Sequence, residues 1–517
     1  MAHSHGRMKS LSSILVMAVG VTLAGAQESG KTLSLSLQDC IQQALQHNLD
    51  LQVERYFPQL ASFDLQGAYA DYDPSINLGG SHGYSLSGGG FDDNGRPLPN
   101  GSSLNTDSFY AGLGNTLTPW GMTYGLQGRI AETHGNLTRS TIDTNGVIQS
   151  YTDQYDNTQG SLVATVRQPL LKNFMIDSTR LNIRVKKLAV KQSEWKLRGT
   201  VISVATSVEL AYYDLIYARE NVKVQEKAVE LSGQLVRENK KRVEVGTMAP
   251  LDEKQAEAQE AGTRADLLQS QQLLAAAENA LKRLLTEHFS ELQPMELIPT
   301  DKVAAPAQTF DLQLSWTRGL SQRPDLLQAK LDVERAGVEL KYYHNQLFPE
   351  LDLVGTYGHN AGGVREYHQG FDQLFGGDQP SYTVGAQLTF PLANTGARAR
   401  YKASKVTKEQ LVLGVKKIEQ EIMVQIDNAI KLAKVSYQRM QATQQAREFA
   451  QAALEAEQKK LENGKSTSFE VLRLQRDLTT ASSDEIRAQT EYKRNLANLS
   501  SFEASTLERL GINLEVK

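Results

Sequence analysis

The fold is decided by a heptad repeat that reads VISVATSVELAYYDLIYARENVKVQEKAV from Val201 to Val229. Small or apolar residues recur there in alternating steps of three and four, at Val201, Val204, Val208, Ala211, Leu215, Ala218 and Val222, and the repeat continues past the polar Gln225 to Val229. A 3.5-residue repeat held over several heptads keeps one stripe of a helix against a neighbour and predicts a left-handed coiled coil. We therefore expect this helix to lie against another helix along most of its length.

The helical pattern extends outward from this repeat, over 178-244. It is broken once, by a turn at 245-250, and a return helix follows at 251-285. At about 1.5 Å per residue, the first of these helices would reach roughly 100 Å, or about three times the apolar thickness of a bilayer. A helix of this length does not fit within a compact globular domain, so the pattern favours an extended architecture.

The N-terminus has the layout of a secretory signal peptide, which we predict at 1-26. Arg7 and Lys9 precede an apolar run from Leu11 to Leu23, and Ala24-Gly25-Ala26 then offers a cleavage site. We expect the mature chain to leave the cytoplasm. A retained anchor helix is the alternative, although the run is short for a membrane span.

Composition argues against several classes of function. The 517-residue chain has a formal net charge of -4, so nothing in it points to nucleic acid. One cysteine and nine histidines leave no disulfide framework and little scope for a metal site, and we interpret Cys40 as a lone buried thiol. No phosphate-binding glycine loop follows a strand, and no nucleophile elbow or paired His/Cys spacing occurs. The sequence therefore predicts no enzyme, no cofactor and no metal.

Two regions change to a period of two residues, which predicts strands. The first region, 75-168, holds four candidate strands, with a polar loop predicted from 133 to 158. The second region, 351-390, holds two strands, and its last strand sets Val384 against Thr383. Such alternation over about ten residues is typical of membrane-spanning β-barrels, although a half-buried antiparallel sheet gives the same pattern. The export signal favours the membrane.

The chain uses one plan twice. Two pairs of short segments match between the copies, Asn48-Leu49-Asp50-Leu51 with Arg323-Pro324-Asp325-Leu326 and Gln168-Pro169-Leu170 with Phe390-Pro391-Leu392. The spacing from Arg180 to Gly246 equals that from Arg398 to Gly464. Equal lengths are what a shared bundle of helices in fixed register would demand.

The two copies define the predicted domain organisation. The first repeat, 27-290, has a helix predicted from 36 to 72, the four candidate strands and the helices and turn given above. A linker, predicted to be equatorial, covers 291-322. The second repeat, 323-517, has in order a helix, the two strands, a long helix at 396-462, a tip turn at 463-468 and a return helix at 469-510.

This doubled plan resembles the TolC-like outer membrane efflux proteins of Gram-negative bacteria. The resemblance covers nearly the whole mature chain. Its most specific segments are RVEVGTMAPLD at 242-252 and LENGKSTSFEVL at 461-472. It implies a mainly helical fold, in which a long coiled-coil barrel is continuous with a transmembrane β-barrel. Three chains would close that barrel, and each chain would be built from an internal duplication.

The resemblance also implies a function. The protein would be the exit duct of a tripartite efflux or type I secretion system and would conduct substrates passively across the periplasm and the outer membrane. Its partners would be two further copies, a periplasmic adaptor protein, an inner-membrane pump reached through that adaptor, and outer membrane lipid. Drugs, metals and proteins all remain open as cargo. An exported coiled-coil or adhesin-like protein without a pore is the alternative.

The resemblance is incomplete in strand number. The family usually contributes four strands per chain, whereas this sequence holds six candidates. The extra hairpin, near 107-150, would make a trimeric barrel of 18 strands if it joins the wall. It could instead cap the outside or fold into the lumen.

The two tip turns are the candidate contact site for the adaptor. Their residues are Val245, Gly246, Thr247, Met248, Ala249, Asn463, Gly464, Lys465 and Ser466. Gly246 and Gly464 supply the positive φ that a sharp helix reversal needs. The spacing alone fits both contact with an adaptor and simple capping of the hairpins.

Glu470 and Arg473 form the candidate pore gate. Well-known members of the family carry two aspartates at the matching positions, and a Tyr and an Arg where this chain has Leu461 and Ser466. The resemblance therefore implies a charged ring at the constriction, in which Glu470 favours cations. An ordinary i,i+3 ion pair on a solvated helix face is the alternative.

Overall fold

The described part of the chain alternates helices and strands in two similar series. The structure is a computed structural model and describes residues 32–88, 101–142, 144–301 and 306–512; the predicted signal peptide at 1-26 lies outside them. The strands are β1 (Thr32–Leu35), β2 (Ile76–Leu86), β3 (Ser103–Leu117), β4 (Thr123–Ile142), β5 (Ile148–Pro169), β6 (Glu296–Pro299), β7 (Glu350–Val364) and β8 (Pro380–Thr389). The helices are α1 (Leu37–His47), α2 (Leu49–Gly67), α3 (Ser178–Glu244), α4 (Pro250–Leu285), α5 (Phe289–Leu292), α6 (Leu312–Gln322), α7 (Pro324–Asn345), α8 (Tyr367–Gly376), α9 (Thr395–Glu462), α10 (Ser468–Phe502) and α11 (Thr506–Arg509).

Two very long helices set the dimensions of the molecule. Helix α3 has 67 residues and α9 has 68. Each packs against the return helix that follows it, and α10 packs against α3 as well, so the two hairpins form one bundle. In α3 the heptad positions Val201, Val208 and Leu215 are buried, as the 3.5-residue repeat predicts. No helix in the described ranges combines the length and the apolar character needed to cross a membrane.

The N-terminal helical region is divided, whereas the sequence predicts one helix from 36 to 72. That prediction is wrong at Asn48, where α1 ends and α2 begins. The Asn48 side chain accepts a hydrogen bond of 3.1 Å from the amide of Leu51 and therefore caps the N-terminus of α2. Its side-chain NH₂ donates to the carbonyl of Leu284, 3.2 Å away, which ties the break to α4.

One antiparallel sheet holds six strands in the order β2-β3-β4-β5-β7-β8. The hairpin β3–β4, which includes most of the predicted extra hairpin, lies between β2 and β5. One cross-strand row consists of Ile76, Leu113, Leu126, Ala164, Tyr357 and Tyr382. The adjacent row, on the opposite face, consists of Asn77, Gly112, Gln127, Val163, Gly358 and Ser381. Because successive residues of a strand point to opposite faces, the sheet has one apolar face and one polar face.

Strands β4 and β5 continue through the segment at 133 to 158, so the prediction of a polar loop there is wrong. Their pairing runs on from Thr133 opposite Asn157 to Ile142 opposite Ile148. Both faces of the ladder are largely polar in this part, so no apolar alternation marks it in the sequence. Threonine and tyrosine nonetheless favour extended backbone, and pairing with the neighbouring strand satisfies the peptide groups.

A buried cluster joins the N-terminal helix to the long helices, next to the parallel pair β1–β6. It includes Cys40, Val208, Tyr212, Leu281 and Leu297. The hydroxyl of Tyr212 lies 2.9 Å from a carboxylate oxygen of Asp301, to which it donates, and it accepts from the Asp301 amide at 3.3 Å. Cys40 is fully buried, which confirms the prediction of a buried thiol, and burial raises its pKa to about 12.

Replacing Tyr212 with Phe should increase the rate at which Cys40 reacts with a maleimide. The variant loses the hydroxyl contacts to Asp301, so the cluster opens locally more often. We expect the rate to rise about tenfold, which corresponds to a loss of about 1.4 kcal/mol. The measurement is a mass-spectrometric time course at pH 8, where the raised pKa keeps the native thiol protonated.

The matched control is Tyr217→Phe, which removes a hydroxyl from the same helix outside the cluster. Its partner is the guanidinium of Arg487, 2.9 Å away. This variant should react at the wild-type rate. Equal rates for Tyr212→Phe and wild type would contradict the role assigned to the Tyr212 hydroxyl.

Candidate functional site

The two helix reversals at the far end of the bundle have the same backbone geometry. At the first tip, the amide of Thr247 donates to the carbonyl of Arg242 at 2.8 Å, and Gly246 has a φ of 74°. At the second tip, the amide of Lys465 donates to the carbonyl of Lys460 at 2.8 Å, and Gly464 has a φ of 68°. These are the bonds of the Schellman motif, in which glycine follows the last helical turn.

The return helices begin differently at the two tips. Helix α4 starts with Pro250, and the preceding Ala249 gives no side-chain cap. Helix α10 is capped by Thr467, whose hydroxyl accepts from the amide of Glu470 at 3.4 Å. Proline is tolerated in the first turn because its missing N–H would have no partner within the helix.

The tips pack against each other within one chain. A buried apolar cluster there consists of Leu235, Leu454, Leu461, Val471 and Leu472. The buried Ser468 hydroxyl donates to Oδ1 of Asn239 at 3.0 Å, and the Arg242 guanidinium donates to the carbonyl of Leu461 at 3.4 Å. The first hairpin is therefore linked to the second by both apolar and polar contacts.

The predicted tip residues divide into an exposed group and an inward group. The exposed residues are Val245, Gly246, Thr247, Ala249, Asn463, Gly464 and Lys465, of which Val245 is 72% exposed. The half-buried residues are Met248 and Ser466. The sulfur of Met248 lies 3.8 Å from the Ser468 hydroxyl, and the Ser466 hydroxyl donates to the Glu457 carboxylate at 2.5 Å. Met248 and Ser466 therefore serve the packing of the tips.

Glu470 and Arg473 are brought together as an ion pair of 2.7 Å on the first turns of α10. Both stay accessible to solvent, with 38% of the Glu470 side chain and 57% of the Arg473 side chain exposed. A pair of this kind contributes about 1 kcal/mol or less to stability. Its main effect is to neutralise each charge locally.

Glu457 is a tip residue that sequence reasoning missed. Its carboxylate accepts from the Ser466 hydroxyl and from the Lys460 ammonium, the latter at 2.9 Å. The hydrogen bond from Ser466 is the main reason why the pKa of Glu457 is lowered, with Lys460 adding to it. Only the i,i+3 spacing of Glu457 and Lys460 could have been found in the sequence. The link to Ser466 crosses the turn and depends on its geometry.

The charged side chains in the described ranges do not gather into a metal site. No group of three or more His, Cys, Asp or Glu side chains placed to hold an ion occurs among them. Backbone and side chains at the tips are instead exposed to solvent.

Comparison with known proteins identifies relatives of the whole bundle. Residues 132–287 and 317–502 match the family described as outer membrane efflux protein. Outer membrane protein TolC of Vibrio cholerae serotype O1 is 23% identical over 312 residues, or 58% of this chain and 68% of that protein. Cation efflux system protein CusC of Escherichia coli (strain K12) is 22% identical over 309 residues, or 60% of this chain and 64% of that protein.

Solved structures share the fold. The outer membrane protein VceC from Vibrio cholerae aligns with a TM-score of 0.64 at 17% identity, over 90% of this chain and 95% of that one. The CusC crystal structure aligns with a TM-score of 0.65 at 16% identity, over 92% and 95%. At such identities the likeness concerns the architecture of strands and helices.

The Gly464→Val variant should loosen the second tip. A side chain at a positive φ costs about 1–2 kcal/mol, although no neighbouring atom would clash with it. Hydrogen exchange of the Lys465 amide, which closes the turn, should accelerate about tenfold for 1.4 kcal/mol, as measured by mass spectrometry of tip peptides.

The matched control is Gly414→Ala, in the interior of α9, where φ is negative and the space around the residue is open. It should leave tip exchange unchanged. Unaltered exchange in Gly464→Val would show that the turn does not depend on glycine.

Proposed function

Because more than half of its residues match the outer membrane efflux protein family, the chain belongs to that family, and we propose that three copies of the chain form one exit duct. Members of this family are efflux channels and not enzymes. The protein accordingly is an outer-membrane protein that extends into the periplasm. The duct would serve a tripartite efflux or type I secretion system and conduct its cargo passively.

The observation that carries the trimer is the open sheet. Strands β2 and β8 are its edges in the described residues, with 11 and 10 residues respectively. In an antiparallel sheet of six strands the first and last run in opposite directions, so β8 of one copy can continue the ladder onto β2 of the next. Three sheets of six give 18 strands, an even number as in known outer-membrane barrels.

The two faces of the sheet support the same arrangement. The apolar face suits lipid, and the polar face suits a water-filled lumen. On the polar face the Arg167 guanidinium donates to Glu350 at 2.6 Å and also pairs with Asp352. Charged groups of this kind are costly in hydrocarbon and are accommodated in a lumen.

The long helices would carry the duct through the periplasm, since 67 residues of α3 span roughly 100 Å. We propose that the two hairpins are copies within an internal duplication, 27-290 and 323-517, joined by 291-322. Their exposed tip residues, Val245, Thr247 and Lys465 among them, would meet a periplasmic adaptor. An inner-membrane pump reached through that adaptor would supply the energy.

The Glu470–Arg473 pair is the proposed gate. Three copies around the axis would place three carboxylates and three guanidinium groups at the narrow end. Because each acid has its own cation at 2.7 Å, the ring would carry little net charge until one partner is removed. Once Arg473 is removed, the unpaired Glu470 carboxylates would give the ring its preference for cations.

Planar-bilayer recordings test the duct and the gate together. The wild-type oligomer should give discrete conductance steps. Arg473→Ser leaves Glu470 unpaired and should shift the reversal potential in a KCl gradient towards cation selectivity, whereas Glu470→Ala should shift it towards anions. Lys254→Ser, which breaks a 2.7 Å i,i+3 pair with Glu257 on the other hairpin, is the control and should change nothing.

Two outcomes would contradict the proposal. A reversal potential that stays at the wild-type value in Glu470→Ala would remove Glu470 from the gate. A protein that is extracted without detergent and gives no conductance would instead be an exported coiled coil or adhesin without a pore.

A further inference from the structure

A short helix, α8, lies in the connection between β7 and β8 and packs on the apolar face of the sheet. The row formed by Phe109, Ile130, Gly160 and Ala361 belongs to that face, since it is separated from the row of Leu126 by an even number of residues. The Tyr367 hydroxyl donates to the carbonyl of Asp107 at 2.9 Å, and its ring meets Phe109 edge-on with centroids 6.0 Å apart. The N-terminal end of α8 is therefore fixed to β3.

The rest of α8 crosses β4 and β5 to reach β7. A Cβ added at Gly370 would lie 2.9 Å from the Thr158 side chain and 3.2 Å from the Ile130 side chain, so a larger residue would have to displace these groups. The carbonyl of Leu374 accepts from Nδ1 of His359 at 2.9 Å. The helix thus runs across the strands, so in a barrel whose strands tilt by about 40° its axis would be inclined by about the same angle to the membrane plane.

The side chains of α8 separate into distinct groups around the helix. Tyr367, Gly370 and Leu374 face the sheet. Phe371 and Phe375, one turn apart, lie on one flank with near-parallel rings at 6.5 Å and are 45% and 75% exposed. Gln369 lies on the other flank and is exposed. Exposed phenylalanines on one flank and a polar group on the other are typical of helices at a membrane interface.

A groove of about 430 Å³ lies between the phenylalanine flank and the strands. Its lining includes Phe109, Leu113, Leu126, Ile130, Leu162 and Phe371. The groove lies mainly on β3, β4 and β5, in the middle of the sheet. Edge-to-edge pairing of β2 and β8 with other copies would therefore leave it uncovered.

The level of α8 coincides with the end of the apolar band. Along β7, the segment from Leu351 to Ala361 rises roughly 34 Å, or about 25 Å across a bilayer when tilted by about 40°. This height is that of the lipid-facing band of outer-membrane barrels. Beyond it, the next row of the same face holds Asp107, Glu132 and Thr158, which are polar.

We propose that α8 is an interfacial helix on the outer surface of the barrel, and that the groove beneath it holds an acyl chain of an outer-leaflet lipid. The inference rests on the proposed function, because it takes the apolar face as the lipid-facing one. Phe371 and Phe375 dip into the hydrocarbon and Gln369 points to the headgroups. The connection between β7 and β8 thus anchors the rim of the barrel and does not cover the pore.

Site-directed spin labelling of the reconstituted oligomer tests the proposal. Nitroxides are placed through Phe375→Cys and, as the matched control on the same helix, Gln369→Cys, both in a Cys40→Ser background. Vesicles of phosphatidylethanolamine and phosphatidylglycerol supply the lipid. We expect the ratio of oxygen to nickel-chelate accessibility to be several-fold higher for the label at 375 than for the label at 369.

A second pair of labels separates failure of this inference from failure of the channel. Val384→Cys and Thr383→Cys are neighbours on β8, on the apolar and the polar face, away from α8. If the label at 384 is accessible mainly to oxygen while the label at 375 is accessible mainly to the nickel chelate, α8 is not interfacial and the channel proposal stands. If Phe375 is shielded from both probes, protein covers the groove and the acyl chain is excluded. If Val384 reads as aqueous, both proposals fail.

Discussion

The unpaired backbone along β2 and β8 is the constraint on which the rest of the structure depends. Within the described residues each of these strands has one neighbour only. Peptide groups without partners are so costly in hydrocarbon that membrane sheets exist as closed barrels. In the proposed trimer, the two edges of the six-stranded sheet find these partners in other copies of the chain. That closure in turn decides which face meets lipid and which meets water.

The arrangement of the long helices is set by their attachment to the same sheet. The amide of Asn173, between β5 and α3, donates to the Asn345 side chain at 2.7 Å, which ties the start of α3 to the end of α7. From this junction α3 and α9 run out with nearly equal lengths and turn at equivalent glycines. Two hairpins that start together and end together can pack in register, and this packing brings Ser468 against Asn239 at the tips.

Local patterns in the sequence were enough to predict the long helices and their turns, because heptads and glycines act over a few residues. Val201 and Leu215 are buried, and Gly246 and Gly464 have positive φ, as predicted. The strands at 133 to 158 were missed because they have no clear apolar period, although they pair with each other in a local hairpin. Helix α8 was missed because its contacts with β3 and β4 are distant in sequence. Glu470 and Arg473 form the i,i+3 ion pair that their spacing allows, whereas their place at a pore constriction stays a prediction.

A cryo-electron-microscopy reconstruction of the detergent-solubilised protein tests the central claim most directly. The account predicts a threefold particle with an 18-stranded barrel. Hairpin β3–β4 of each chain would form part of its wall, and β8 of one copy would pair with β2 of the next. A barrel of 12 strands with this hairpin outside the wall, or a single chain whose sheet stays open, would contradict it.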